Sequence, residues 1–176
     1  MKLIGGELAR FAHRDEAHAD FDEARAAGTI RGMNSVTDTA RELLGSEPAL
    51  PEATRWRRRA TSFFQGNRFV TGPLARHVLA LTEGDRVADL YAGVGLFAVP
   101  LAARGAEVTA VEGDQGCADD LVNNAEPFVD RLHVVQDSVE AAMAYLPSAL
   151  DAVVLDPPRA GVSAVALSGV VASGAR

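Results

Sequence analysis

Cysteine occurs once in this chain of 176 residues, at Cys117. A lone thiol excludes an internal disulfide framework and any iron–sulfur cluster of the four-cysteine type. Lysine also occurs once, at Lys2, so arginine carries nearly all of the positive charge. No stretch of 18 or more apolar residues is present, so no membrane-spanning helix is expected. The opening MKLIGGELARFAHRDEAHAD is apolar too briefly, and charged too soon, to read as a signal peptide. The expected location is the cytoplasm. Positive charge is scarce in the second part of the chain. Residues 1–60 balance ten Lys/Arg with ten Asp/Glu, whereas residues 61–176 set seven Arg against fourteen acids. An acidic body argues against loose, nonspecific nucleic-acid binding, which needs many phosphate contacts, but leaves room for a local basic track.

What is there reads as an ordinary globular chain, 48% apolar and 23% charged, long enough for one domain or a domain with a fragment of another. Residues 7–27 read as a mostly exposed helix stopped by Gly28, residues 29–36 as a strand, and residues 45–54 as a proline-containing loop. Residues 55–65 read as a strand leading into the next unit. The boundary is set near residue 60, where the charge balance changes, giving a partial α+β segment over 1–60 and a second domain over 61–176. In that domain Pro73 suits the first turn of a helix reaching Leu81. Strands are expected at 86–90, 107–111, 132–135 and 150–155, and helices at 96–104, 115–126, 138–146 and 162–172. Such alternation with short loops implies an α/β, Rossmann-like fold, a parallel sheet with helices on both faces.

Parallel α/β sheets bind ligands outside the carboxyl ends of their strands. The stretch DLYAGVGLF, residues 89–97, lies at such an end. Gly93 and Gly95 let the backbone bend sharply and approach a ligand closely. The pattern lacks the third glycine of a dinucleotide site and the Gly-Lys-Ser/Thr of a phosphate loop. The carboxylate of Asp89 would repel a pyrophosphate but could face an ammonium group. Glu112 ends the second strand, where an acid can take both hydroxyls of a ribose. Asp137 ends the third, where it could accept from an adenine amino group, and Asp156 ends the fourth. All four acids are expected at strand tips along one edge. A ribose, an adenine and an amino-acid tail together describe S-adenosylmethionine.

The motifs SFFQGN (62–67), DLYAGVGLF (89–97), VEGD (111–114) and LDPPRAGV (155–162), in this order, resemble the RNA uracil-C5 methyltransferases. Residues 1–60 resemble that family's central domain only weakly, through GTIRGMNSVTD. The resemblance implies a class I methyltransferase fold, C-terminally incomplete here, and formation of 5-methyluridine in tRNA or rRNA. It implies that Gln65, Tyr91, Glu112, Asp137 and Asp156 contact the cofactor, with Gln65 reaching it from the preceding segment and Tyr91 packing along it. One departure is Leu96, where the family often has an Asn against the methionine tail. The family also uses a Cys thiolate that adds to carbon 6 of uracil, and a carboxylate base. Both are expected beyond Arg176, so this chain alone is expected to bind the cofactor without turnover. Two other readings stand beside this one. One is an amino-group methyltransferase using Asp156-Pro157-Pro158, and the other is a noncatalytic RNA- or nucleotide-binding remnant.

Other residues carry two readings each. Cys117 falls on the ribose and adenine side, away from where the methyl group belongs, and reads as an idle thiol. Arg55-Trp56-Arg57-Arg58-Arg59 is either a phosphate track with Trp56 stacking on a base, or a strand whose arginines lie along its outer face. Arg159 either contacts RNA or pairs with Asp156. His13 and His18 do not share a helix face, which argues against a metal pair. His77 and His133 read as structural histidines, and Asn123 and Asn124 as surface or helix-end residues. No metal and no iron–sulfur cluster is expected.

Overall fold

The runs Val87–Leu90, Val108–Val111 and Ala152–Leu155 are apolar almost without interruption, as strands covered on both faces must be. In the computed structural model, which describes residues 35–46 and 49–175, they are three strands of a four-stranded parallel sheet. Its strands are β3 (Arg86–Leu90), β4 (Glu107–Glu112), β5 (Leu132–Gln136) and β6 (Ala152–Leu155), in the spatial order β5-β4-β3-β6. Two further strands, β1 (Ser35–Thr39) and β2 (Arg55–Arg59), pair antiparallel, with Ser35 opposite Arg59. The helices are α1 (Ala40–Leu44), α2 (Arg68–Leu81), α3 (Ala98–Ala103), α4 (Gln115–Ala125), α5 (Val139–Ala142) and α6 (Ala164–Ser173). One face of the sheet packs Val87, Val108, Ala110 and Val154 against Leu79, Val99, Leu101 and Leu121. The other packs Ala88, Leu90 and Val111 against Val139, Ala142 and Ala166. The expected α/β class I architecture is therefore present.

Several boundaries differ from the sequence reading. The strand from residue 55 stops at Arg59, because the Ser62 amide turns back onto the Arg59 carbonyl and the Ser62 hydroxyl donates to Asp120. Helix α2 begins five residues before Pro73. Asn67 caps it by accepting from the Phe69 amide at 3.1 Å, and Pro73 falls inside the helix. Just before that proline, Gly72 is the point where α1 meets α2, and a Cβ there would collide with the Leu43 carbonyl. The helix expected over 138–146 is α-helical only to Ala142, after which the amides of Ala144 and Tyr145 tighten to three-residue turns. The helix expected over 7–27, residues 29–34 of the strand expected over 29–36, and His13 and His18 lie outside the described residues. No described helix is long and apolar enough to cross a membrane.

The chain runs from β3 outward through β4 and β5, then returns to place β6 on the other side of β3. The order therefore reverses between β3 and β6, and the carboxyl ends there frame the crevice where such sheets take ligands.

Candidate functional site at the carboxyl edge of the sheet

The turn from β3 into α3 is bent by three residues of positive φ: Tyr91 at 65°, Gly93 at 57° and Gly95 at 92°. The two glycines serve different ends. A Cβ on Gly95 would meet Leu121 Cδ1 at 2.6 Å and Val99 Cγ2 at 2.8 Å, so this position is a close packing contact. A Cβ on Gly93 would meet nothing within 4 Å, so this position opens toward the crevice. Tyr91 holds a conformation rare for a bulky residue, strain of the kind that collects at binding sites. Its ring packs partly against the core beneath α5 and α6.

Glu112 fixes the turn from the neighbouring strand. Its Oε2 accepts from the Gly93 amide at 2.8 Å and its Oε1 from the Asp114 amide at 2.7 Å. Each oxygen retains a lone pair, and the carboxylate is held in one orientation. On the opposite side of β3, the Asp156 amide donates to the Leu90 carbonyl at 3.4 Å and so prolongs the β6 ladder. Gln65, half-buried in the segment before α2, donates from Nε2 to Asp156 Oδ2 at 3.3 Å. Asp137 follows β5, where its carboxylate accepts from the Ser138 amide at 2.7 Å and from the Tyr145 hydroxyl at 2.6 Å. The Tyr145 bond, then the Ser138 bond, hold the Asp137 carboxyl below the usual carboxylate range. Asp137, Glu112, Tyr91 and Asp156 thus follow one another across adjacent strand ends, a row roughly 14 Å long at the usual strand spacing.

Asp89 departs from the expected row. It lies inside β3, opposite Ala110 and Val154, and is fully buried. The ladder runs past it, since the Ala92 amide still bonds the Val111 carbonyl at 2.9 Å. Neither carboxylate oxygen has a well-formed hydrogen bond among the described residues. Burial pushes its carboxyl up to about 8 against the partial pull of the Ala98 amide, and the charges of Asp156 and Glu112 push the same way as burial.

Two supports of the turn are polar side chains far away in sequence. Trp56 is fully buried and donates from Nε1 to the Gly95 carbonyl at 2.8 Å. That corrects the idea of Trp56 stacking on a base, because β2 alternates and turns the indole inward. Asn124, also buried, donates to the Val94 carbonyl at 3.0 Å and accepts from the Arg57 amide at 2.8 Å. It is therefore a bridge, not a surface residue, whereas Asn123 is exposed. A signal was available: Asp120 and Asn124 stand four apart on the same face of α4 as Cys117 and Leu121, and polar groups on a core face need partners. Asp120 accepts from the Arg59 amide and the Ser62 hydroxyl.

Of the arginine run, Arg58 pairs with buried Asp38 at 2.7 Å and Arg59 with Asp119 and Asp120, while Arg55 and Arg57 are exposed. Arg159 is exposed and forms no ion pair among the described residues. His77 and His133 are exposed as well, which corrects their reading as satisfied structural groups. Leu96, the departure noted in the glycine turn, is buried in the core. Burial pushes the Cys117 thiol up to about 11, leaving it protonated at neutral pH and a poor nucleophile. No group of three or more His, Cys, Asp or Glu among the described residues is placed to hold a metal ion.

No family model matches the chain. Curated relatives do, and they bear out the resemblance. A 23S rRNA (uracil(1939)-C(5))-methyltransferase, RlmD, of Azoarcus sp. is 36% identical over 116 residues, covering 61% of this chain and 27% of the relative. A tRNA (uracil(54)-C(5))-methyltransferase of Pyrococcus abyssi is 35% identical over 102 residues, 57% of this chain and 24% of the relative. The chain thus spans about a quarter of the length of these relatives. Among solved structures, the Pyrococcus abyssi tRNA (uracil-54, C5)-methyltransferase in complex with S-adenosyl-L-homocysteine superposes with a TM-score of 0.60 at 28% identity. That match covers 69% of this chain and 30% of the other.

Proposed function

We propose that this chain is the S-adenosylmethionine-binding part of an RNA uracil-C5 methyltransferase, an enzyme forming 5-methyluridine in tRNA or rRNA. The observation that carries the reading is the row of strand ends: an oriented Glu112 tied to an open Gly93, flanked by Asp137 on one side and by Asp156 with Gln65 on the other. The relatives' names and the neighbour solved with S-adenosylhomocysteine support it.

Each residue then has a task. The free lone pairs of Glu112 accept the two ribose hydroxyls, and the amide bonds already made keep the carboxylate from turning away. Asp137 accepts from the adenine amino group. Gly93, lacking a side chain on its open face, lets the ligand lie against the backbone. Tyr91 packs along the ligand, and Asp156 and Gln65 border its amino-acid end. S-adenosylmethionine supplies a methyl group activated by its sulfonium charge. Buried Cys117, protonated and on the α4 side, is no candidate for attack on a pyrimidine. Residues 61–176 hold the ligand in this reading. β2, near the end of the preceding segment, is tied down where it meets α4 through Arg57, Arg59, Asp120 and Asn124. The proposed partner is RNA and the proposed location is the cytoplasm.

Titration calorimetry with S-adenosylhomocysteine tests the reading. The full chain binds it, and Glu112→Ala weakens binding by about 1–3 kcal/mol, the cost of losing hydrogen bonds to a charged group. Absence of binding by the folded chain contradicts the proposal, and unchanged affinity of the variant removes Glu112 from the ribose.

A further inference from the structure

Asp38 is the one buried residue of β1, and its carboxylate joins two arginines from different elements. Its Oδ2 accepts from Arg58 Nη1 at 2.7 Å, near the end of β2, and its Oδ1 from Arg68 Nη2 at 2.6 Å, at the start of α2. These arginines bracket residues 59–67, the loop that carries Phe64 and Gln65. Register explains the placement: Asp38 stands opposite Trp56, so its carboxylate shares the inward face with the indole and with Arg58. With side-chain exposures of 3% for Asp38 and 15% for Arg58, that arm is little screened by solvent, whereas Arg68, 73% exposed, is the weaker one. Without the carboxylate, two guanidinium groups would face one another at the base of the loop.

The far end of the loop gives Gln65 little support of its own. Its bond to Asp156 Oδ2, at 3.3 Å, is just beyond the usual range. A Cβ on the next residue, Gly66, would meet nothing within 4 Å, so nothing packs against the loop there. Restraint comes from the base. The Arg58 guanidinium lies 4.1 Å from the centre of the Phe64 ring, and Phe64, the residue before Gln65, packs against the core. On the other side of Gln65, Asn67 caps the helix whose first residue is Arg68. The Ser62 hydroxyl fastens the earlier part of the loop to Asp120.

We propose that Asp38 is a positioning residue for ligand binding: it clamps both ends of the 59–67 loop and thereby sets the Gln65 amide at the amino-acid end of the ligand. The inference rests on the cofactor reading above and deepens it, by making β1, outside the parallel sheet, part of what selects a nucleoside that carries an amino-acid tail. Asp38 acts through Arg58 and Phe64 on one side of Gln65, and through Arg68 and Asn67 on the other.

Calorimetry of the full chain with S-adenosylhomocysteine and with 5′-methylthioadenosine, which lacks the amino-acid tail, reads the effect. Asp38→Asn keeps the shape of the side chain and removes the charge that both arginines meet. It is expected to bind S-adenosylhomocysteine roughly tenfold more weakly than the parent chain does, and methylthioadenosine equally well. In a Gln65→Ala background the same substitution is expected to cost nothing further, because the residue it acts through is gone. Arg68→Met, at a largely exposed side chain, releases only the α2 end and decides the matter if Asp38→Asn does not fold. It is expected to weaken S-adenosylhomocysteine alone, by roughly threefold. Equal loss for both nucleosides, unchanged S-adenosylhomocysteine affinity in a folded variant, or a loss that persists in full beside Gln65→Ala overturns the inference and leaves the cofactor reading intact. Failure of the parent chain to bind either nucleoside overturns the cofactor reading and this inference with it.

Discussion

A carboxyl group buried at Asp89 costs the fold stability wherever the unfolded chain would ionise it. Its folded pKa lies at about 8, above the ordinary value of 3.8. Between those values the folded state keeps a proton that the unfolded state loses, so stability falls as pH rises from about 4 to 8 and is level above. Asparagine has nearly the same shape and no charge to bury. Asp89→Asn should therefore match the parent chain in urea unfolding at pH 4, exceed it increasingly toward pH 8, and hold that advantage above. A gap that did not change with pH would show the group ionised in the folded chain. The glycine contact gives a second test at this scale. Gly95 has a φ of 92° and no room for a Cβ between Leu121 and Val99, so Gly95→Ala should lower unfolding free energy by roughly 2–4 kcal/mol. A loss below 0.5 kcal/mol in urea unfolding would show that the turn relaxes freely. That Asp89 stands on the strand leading into the glycine turn was legible in its place before the glycines. Its burial was not, because the sequence marks where apolar residues stop but not how far the ladder continues past Leu90.

The element that organises the site is the β3–α3 turn, and it is held from outside. The carbonyls of Val94 and Gly95 are claimed by Asn124 and Trp56, which fixes the loop from α4 and β2. Trp56→Phe keeps an aromatic ring in the core but removes the indole donor from the Gly95 carbonyl, leaving it the Val99 amide. The expected cost is about 1–3 kcal/mol of stability together with weaker S-adenosylhomocysteine binding, measured by urea unfolding and calorimetry. Intact affinity in that variant would show that β2 does not position the turn. The four sheet strands and the turn were legible because apolar runs of four or five residues alternate with helix-length segments. The start of α2 was not, because its cap at Asn67 and the approach of Gly72 to α1 depend on contacts with residues elsewhere in the chain. Nor was the partnership of Trp56 with Gly95, 39 residues apart.

At the scale of the whole molecule, the sheet order β5-β4-β3-β6 turns four separate sequence motifs into neighbours. Residues as distant as Gln65 and Asp156 meet, with β6 on the side of β3 opposite β4. The acidic balance of residues 61–176 belongs partly to this edge, where Glu112, Asp137 and Asp156 gather. Of the five arginines in the chain's strongest basic run and its approach to the sheet, Arg58, Arg59 and Arg68 are drawn into ion pairs with Asp38, Asp119 and Asp120, leaving Arg55 and Arg57 exposed. The measurement that tests the central claim most directly is a crystal structure of this chain with S-adenosylhomocysteine. The account predicts both ribose hydroxyls within hydrogen-bonding distance of Glu112, the adenine toward Asp137, and the amino-acid tail over Gly93 beside Asp156. A ligand bound elsewhere on the chain, with Glu112 untouched, would contradict it.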